Sequence, residues 1–377
     1  MAEGAALASR FRGVVFDLDG VVYLGEEVVE AAPAALDQVR ALGVAVAFVT
    51  NNSYRPPDLV AEKLQRLGVK AAPGEVLTSS QALVRLLGGS AGLDGVGVMV
   101  VGGPGLRGAL EAAGARLLDG SAWREAEVVA VGFDPDLTYA RLRDATLAIR
   151  AGARFVGSNP DTTLPAPDGL WPGAGATLAL LQASTGVRPE VAGKPERALL
   201  DTAAAAIGSG PYLMVGDRAD TDLDGAHRLG WSTALVLSGV TRPADLPDLA
   251  IVPDHLLPDV GGLLDPPGPA VRPAGRADRV LGGGGKDGER RLVAVDGERV
   301  VGAVAVRCVG TDGQLDGPVV DHAWRGRLVG TRLVVAACIR ARADGLVRVT
   351  APRAGEAFLA RLGFRPARDG ASMVREL

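Results

Sequence analysis

The chain has little that would let it grip a polyanion. Its 377 residues carry a net charge of −4, and aromatic residues make up only 4%. Without a basic field or stacking surfaces, neither nucleic acid nor an acidic membrane is an expected partner. Cysteine is almost absent. Cys308 and Cys338 follow no metal-ligand spacing, so a disulfide framework is not expected and a reducing, cytoplasmic setting is. No apolar run approaches the ~18 residues of a membrane span, and Met1 to Arg10 lack the pattern of a secretory leader. What remains is a chain that is 47% hydrophobic and 22% charged, long enough for two or three globular units.

From Phe11 to Leu87, short β-branched runs alternate with helical periodicity: Val14–Phe16 and Val44–Val49 as strands, Ala31–Leu42 as a helix. Such alternation predicts a parallel sheet with crossover helices. A second β/α unit follows, with strands at Val96–Val101, Val128–Val131 and Arg154–Val156 and helices at Leu106–Ala113 and Tyr139–Arg150. After the turn-rich Ser158–Gly175 the first pattern resumes, with a helix from Ala176 and strands at Tyr212–Val215 and Ala234–Leu237. The expected division is a core of residues 1–87 and 176–265, an inserted domain of 88–175, a Pro/Gly-rich linker of 266–290 containing Gly282–Gly285, and a small α/β module of 291–377.

Chemistry concentrates at strand ends. Val14-Val15-Phe16-Asp17-Leu18-Asp19-Gly20 is a hydrophobic strand stopping at two carboxylates, which together call for a cation or a proton. Phe48-Val49-Thr50-Asn51-Asn52-Ser53 ends a strand in a hydroxyl followed by backbone amides, a setting that suits a phosphate. Gly193-Lys194-Pro195 fixes a lysine between two conformationally special residues, as a stationary charge facing a phosphoryl group would be fixed. Val215-Gly216-Asp217-Arg218-Ala219-Asp220-Thr221-Asp222 again stops a buried strand at acids, with oxygen donors for a hard metal.

Acids, threonine, lysine and acids, in that order, resemble the four motifs of the haloacid dehalogenase (HAD) superfamily of phosphohydrolases. The resemblance spans Phe11 to about Asp265. The insertion between Thr50 and Lys194 looks like the cap of the group that contains nitrophenyl-phosphatase-like, phosphoglycolate, pyridoxal-phosphate and glycerol-3-phosphate phosphatases. Gly157-Ser158-Asn159-Pro160-Asp161 and Leu170–Gly175 look like its return to the core. The fold implied is α/β, a Rossmann-like core with a large inserted α/β cap.

The resemblance implies a Mg2+-dependent phosphatase of small phosphorylated metabolites. Asp17 would be the nucleophile and Asp19 the acid–base group. Thr50, Asn51, Asn52 and Lys194 would surround the phosphate. Asp17, the Asp19 carbonyl and Asp217 would hold Mg2+, with Asp222 orienting Lys194 or metal waters. Asn159 and Asp161 are candidate substrate contacts or, equally, a simple Asx-Pro turn. Glycerol 3-phosphate is the best single substrate expected, and pairing through the cap would give a homodimer.

Two further motifs stand apart. Gly103-Pro104-Gly105-Leu106-Arg107-Gly108 has dinucleotide-binding spacing, yet no acid ends the next strand, so tight-turn glycines are the expected reading. Near the C-terminus, Val319-Val320-Asp321-His322 leads to Trp324-Arg325-Gly326-Arg327-Leu328-Val329-Gly330, which resembles the coenzyme A pyrophosphate turn of GNAT acyltransferases. That implies a small GNAT-like α/β domain and acetyl-CoA or CoA as a partner. Leu328 stands where a glycine is expected and Leu359 where a tyrosine acid often stands, so a structural or regulatory role is expected over N-acetyltransferase activity. His322 reads as a helix-end residue and Cys338 as core, while His227 and His255 have no evident partner.

Overall fold

A computed structural model describes residues 4–88, 92–166, 168–275, 278 and 289–377. The expected glycine run Gly282–Gly285 lies outside the described residues. The central sheet is wholly parallel and six-stranded, in the order His255–Leu257, Ser232–Val236, Tyr212–Gly216, Gly13–Phe16, Ala45–Thr50, Val76–Thr78. Both faces are covered, which is why its strands read as unbroken apolar runs rather than alternating ones. Val14 and Phe16 pack into one apolar cluster and Val15 into another, on opposite faces of the sheet.

The chain runs from Gly13–Phe16 to a neighbour on one side (Ala45–Thr50) and later returns on the other (Tyr212–Gly216). Ligands of open α/β sheets bind at such a switch point, beyond the carboxyl ends of the strands. The sheet topology therefore selects the ends of these three strands before any side chain is considered.

The inserted unit has its own five-stranded parallel sheet, ordered Glu190–Val191, Arg154–Gly157, Val128–Val131, Gly97–Val101, Arg116–Leu118. Its boundary differs from expectation. The helix Ala174–Thr185, expected to reopen the core, buries Leu178 and Leu181 against Val129, Val131 and Phe155 of the inserted sheet. The strand after it pairs Glu190 with Val156 and Val191 with Gly157. A two-residue strand has no periodicity to read, so only its pairing reveals where it belongs. The turn-rich stretch also holds an antiparallel hairpin, Thr163–Ala166 with Gly169–Pro172.

The dinucleotide-like glycines serve packing. The helix Pro104–Ala112 begins against the loop that follows Thr50, and a Cβ on Gly103 would lie 2.2 Å from the Tyr54 ring. The Gly103 and Gly105 amides are already bonded to Phe133 and Tyr54 carbonyls, so neither is free for a pyrophosphate.

The C-terminal sheet has seven strands, and Ala270–Pro273, inside the expected linker, forms its edge by pairing with Leu292–Val295. The helix Val329–Ala343 packs on it and shares a continuous apolar cluster with the central unit: Leu223, Leu235, Leu246 and Leu256 meet Leu333, Val334, Cys338 and Leu362. Arginines lock the junction. Arg342 donates to the Pro247 carbonyl at 2.9 Å, Arg332 to the Asp254 carbonyl, and Arg375 pairs with Asp248 at 2.5 Å. Cys338 is fully buried, and burial pushes its thiol up to about 12, so it is core.

His255 lies at this junction. Burial, then the neighbouring Arg332 guanidinium, pull its imidazole down to about 4; Arg10 also lowers it, and Asp254 opposes. A depressed pKa means the folded state holds the neutral form. The unfolded chain takes up the proton near pH 6.5, so this contribution to stability is present above that value and is lost as pH falls toward 4. Between pH 7.5 and 5 the loss attributable to His255 should be about 2 kcal/mol. Urea melts of wild type and His255→Leu at both pH values measure it; equal pH slopes would show that His255 contributes nothing.

Candidate active site

Asp17 follows directly on the strand Gly13–Phe16, and its amide bonds to the Val215 carbonyl at 2.9 Å, which holds the two acidic strand ends side by side. Asp217 follows Tyr212–Gly216, and Thr50 ends Ala45–Thr50. Room for the Asp217 carboxylate depends on Gly20. That residue has φ +85°, and a Cβ there would come within 2.3 Å of Asp217 Oδ2. The Val240 amide donates to the same oxygen at 2.6 Å, leaving Oδ1 outside that bond.

Lys194 is 2% exposed, and its ammonium lies between two acids, 2.5 Å from Asp17 Oδ1 and 2.6 Å from Asp222 Oδ1. The Asn51 side chain secures the lysine backbone at both ends: Lys194 N donates to Asn51 Oδ1 at 2.8 Å, and Asn51 Nδ2 donates to Lys194 O at 3.0 Å. Asp222 uses its other oxygen to accept from the Arg218 amide at 3.1 Å. It is thus committed to orientation within the protein. Asn52 Oδ1 accepts from the Tyr54 amide and so shapes the turn, while the Asn52 amide donates to Thr50 Oγ1 at 3.1 Å.

Carboxylate oxygens of Asp17, Asp217 and Asp222 lie within 4.8 Å of one another. Burial pushes Asp17 up to about 8; Lys194 opposes this, while Asp222 and Asp217 add to it. Burial, then Asp222, push Asp217 up to about 6. Burial disfavours the Lys194 ammonium, but Asp17 and Asp222 outweigh it and hold the group above its usual range. Three clustered acids around one ammonium are short of positive charge, and their all-oxygen donors suit a hard divalent cation such as Mg2+. Asp19 projects into the same space with its carboxyl raised by desolvation, against the Lys63 charge and the Gly25 amide.

All ten residues expected at a site (Asp17, Asp19, Thr50, Asn51, Asn52, Asn159, Asp161, Lys194, Asp217 and Asp222) line one cavity of about 400 Å³. The inserted unit roofs it with Phe133, Thr163, Leu164 and Pro165. Asn159 and Asp161 are engaged more than expected for substrate contacts. Asp161 Oδ2 accepts from Asn51 at 2.9 Å and from Asn159 at 2.8 Å, and Oδ1 pairs with Arg218 at 3.3 Å. These bonds join the inserted unit to the core.

Several cavity residues went unread in the sequence. Arg218 neighbours Asp217, yet its link to Asp161 spans two segments with no local signal. Arg55 lines the cavity with a guanidinium that makes no hydrogen bond or ion pair among the described residues, while its amide donates to Asn52 Oδ1 at 3.4 Å. Lys63, which lines a small pocket beside this cavity, did leave a trace: the chain has 4 lysines against 36 arginines, so a lysine on an apolar helix face stands out.

A second cavity, about 630 Å³, opens at the start of the helix Val329–Ala343. Leu328 caps that helix at φ 57°, the one left-handed residue other than glycine among the described residues, at a cost of roughly 1–2 kcal/mol. Leu359 is 2% exposed on its wall, and His322 is exposed at the start of a short helical turn.

Comparison with known proteins agrees with this geometry. A haloacid dehalogenase-like hydrolase model matches residues 14–116, a HAD-hydrolase-like model matches 191–263, and an acetyltransferase (GNAT) domain model matches 287–366. The acid sugar phosphatase of Staphylococcus haemolyticus is 35% identical over 66% of this chain and 94% of its own length. A crystal structure of a glycerol phosphate phosphatase from Mycobacterium tuberculosis in complex with magnesium superposes with a TM-score of 0.73 at 31% identity, over 94% of this chain and 98% of that one. A double mutant of a thermostable NPPase from Geobacillus stearothermophilus gives 0.61 at 34% identity, over 67% of this chain and 97% of its own.

Proposed function

The chain belongs to the haloacid dehalogenase-like hydrolases and is a phosphoric monoester hydrolase, and from that premise we propose that it cleaves small sugar or polyol phosphates through an aspartyl-phosphate on Asp17. The observation that carries the reading is the Asp17–Lys194–Asp222 triad beside Asp217, inside a cavity sized for a small ester.

Asp17 attacks phosphorus in line and displaces the alcohol, splitting one difficult displacement into two easier ones. Asp19, its carboxyl raised by desolvation, gives its proton to the leaving oxygen and then, as carboxylate, takes a proton from the water that attacks the aspartyl-phosphate. Lys194, held rigid by Asn51 and Asp222, and Thr50 stabilise the phosphoryl oxygens. Asp17, the Asp19 carbonyl and Asp217 are the residues that would hold Mg2+, which supplies the missing positive charge against the transferring phosphoryl group. The inserted roof excludes protein-sized substrates and limits water.

Glycerol 3-phosphate is the substrate we favour, supported by the likeness along nearly the whole chain to the mycobacterial glycerol phosphate phosphatase. In a panel of phosphate esters assayed with EDTA and with excess Mg2+, small polyol and sugar monoesters should turn over at least about 100-fold faster with metal. Metal-independent turnover would remove the proposed Mg2+ role, and a preference for a ring or aromatic ester over glycerol 3-phosphate would remove the substrate.

The C-terminal module we read as a packing and ligand-sensing element. Its buried junction with the core, the left-handed Leu328 and the apolar Leu359 support this over acetyl transfer. Acetylation of amine acceptors should stay at background when acetyl-CoA is supplied; saturable acetyl transfer would reverse the reading.

A further inference from the structure

We propose that Lys63 is a positioning residue for the Asp19 carboxyl, acting through the turn of the hairpin Tyr23–Leu24/Glu27–Val28. The inference rests on the reading of Asp19 as the acid–base group. Lys63 sits on the buried face of the helix Pro57–Arg66, among Val60, Ala61 and Leu64. A lysine on such a face ordinarily runs its ammonium out to water. Here the residue is 8% exposed and its ammonium stays inside. It donates to the Gly25 carbonyl at 2.5 Å, pairs with Glu26 at 3.2 Å, and lies 3.9 Å from the centre of the Tyr23 ring. A buried cation persists only where such partners replace water, so lysine and hairpin turn hold each other in place.

The same turn reaches Asp19. Its backbone bridges to Tyr23, the Gly20 amide bonds the Tyr23 carbonyl at 2.7 Å, and the Gly25 amide lies close enough to the Asp19 carboxylate to favour it. Gly25 has φ +57° and presents its carbonyl to Lys63. A separate pocket of about 120 Å³, lined by Asp19, Tyr23, Thr50, Asn52, Arg55 and Lys63, joins the lysine to the site. Among the described residues, the ammonium's hydrogen bond, ion pair and ring contact thus all fall on Tyr23, Gly25 and Glu26, which follow closely on Asp19 in the chain.

A lysine that merely anchored the hairpin would, when removed, weaken all reactions alike. One that positions a proton donor matters according to the leaving group: an alkoxide needs the proton, whereas a nitrophenolate leaves largely without it. In the full-length enzyme with Mg2+, kcat/KM reports the phosphoryl transfer to Asp17. Lys63→Met should lower kcat/KM for an alkyl phosphate at least about tenfold and for nitrophenyl phosphate less than about threefold. Lys63→Arg, which keeps the charge and a donor, should recover most of the loss. Lys63→Gln carries the comparison if the methionine variant does not fold, with the same selective direction.

Equal losses on both substrates, or none, would overturn the assignment. Asp19→Ala provides the reference. If it shows the leaving-group selectivity and Lys63→Met does not, only the lysine proposal fails. If Asp19→Ala shows none, the acid–base reading fails and takes this inference with it.

Discussion

Asp17→Asn is expected to lower turnover of every phosphate ester by at least about 10⁴-fold while leaving the fold intact. The amide is nearly isosteric with the carboxyl but is no nucleophile, so the first half-reaction has no acceptor. The fold should tolerate it because Lys194 keeps Asp222 as a partner at 2.6 Å, and because burial already disfavours the Asp17 charge. Thermal melting without metal should therefore be unchanged or slightly raised. Acid-quenched wild type given labelled substrate should carry label on Asp17, and the variant none. Activity within tenfold of wild type, or label on another residue, would dismantle the mechanism.

Lys194→Met should cost about 10²–10³-fold in kcat, the range seen when one fixed electrostatic donor to a transition state is removed. Its effect on stability should be opposite to that of Asp17→Asn. Taking away the buried ammonium leaves Asp17 and Asp222 facing each other without compensation, and breaking a buried pair typically costs 3–5 kcal/mol. Part of that loss is relieved as the carboxyls take up protons, so the defect should grow as pH rises. A divalent cation bound among the acids would restore stability by mass action without restoring the rate. Denaturant melts with EDTA and with Mg2+ separate the two effects. A variant as stable as wild type in EDTA would show that the ammonium is not the counter-charge of this cluster.

The two variants therefore divide chemistry from charge balance. The first removes a bond-forming atom and little else. The second removes a charge on which the arrangement of three acids depends. Lys63 stands one step further out, acting on the proton donor through a backbone turn.

Residue order alone marks where the proposed chemistry sits. An apolar run stopping at Asp17 and Asp19, another stopping at Thr50, and a third at Asp217 mark strand ends, because a buried parallel strand must be apolar along its length and can turn polar only where it leaves the sheet. The helix Tyr139–Arg150 was equally legible, since its apolar spacing repeats over several turns.

What tertiary structure decided are the relations between distant segments. Glu190–Val191 pairs with the inserted sheet, Asp161 gathers Asn51, Asn159 and Arg218, Lys63 turns inward to Gly25, and Arg332, Arg342 and Arg375 bind the C-terminal module to the core. Strand pairing, and the burial of a charge against a particular carbonyl, depend on which surfaces meet after folding. No local pattern records that meeting, so a two-residue strand or a single lysine acquires its meaning only in the packed chain.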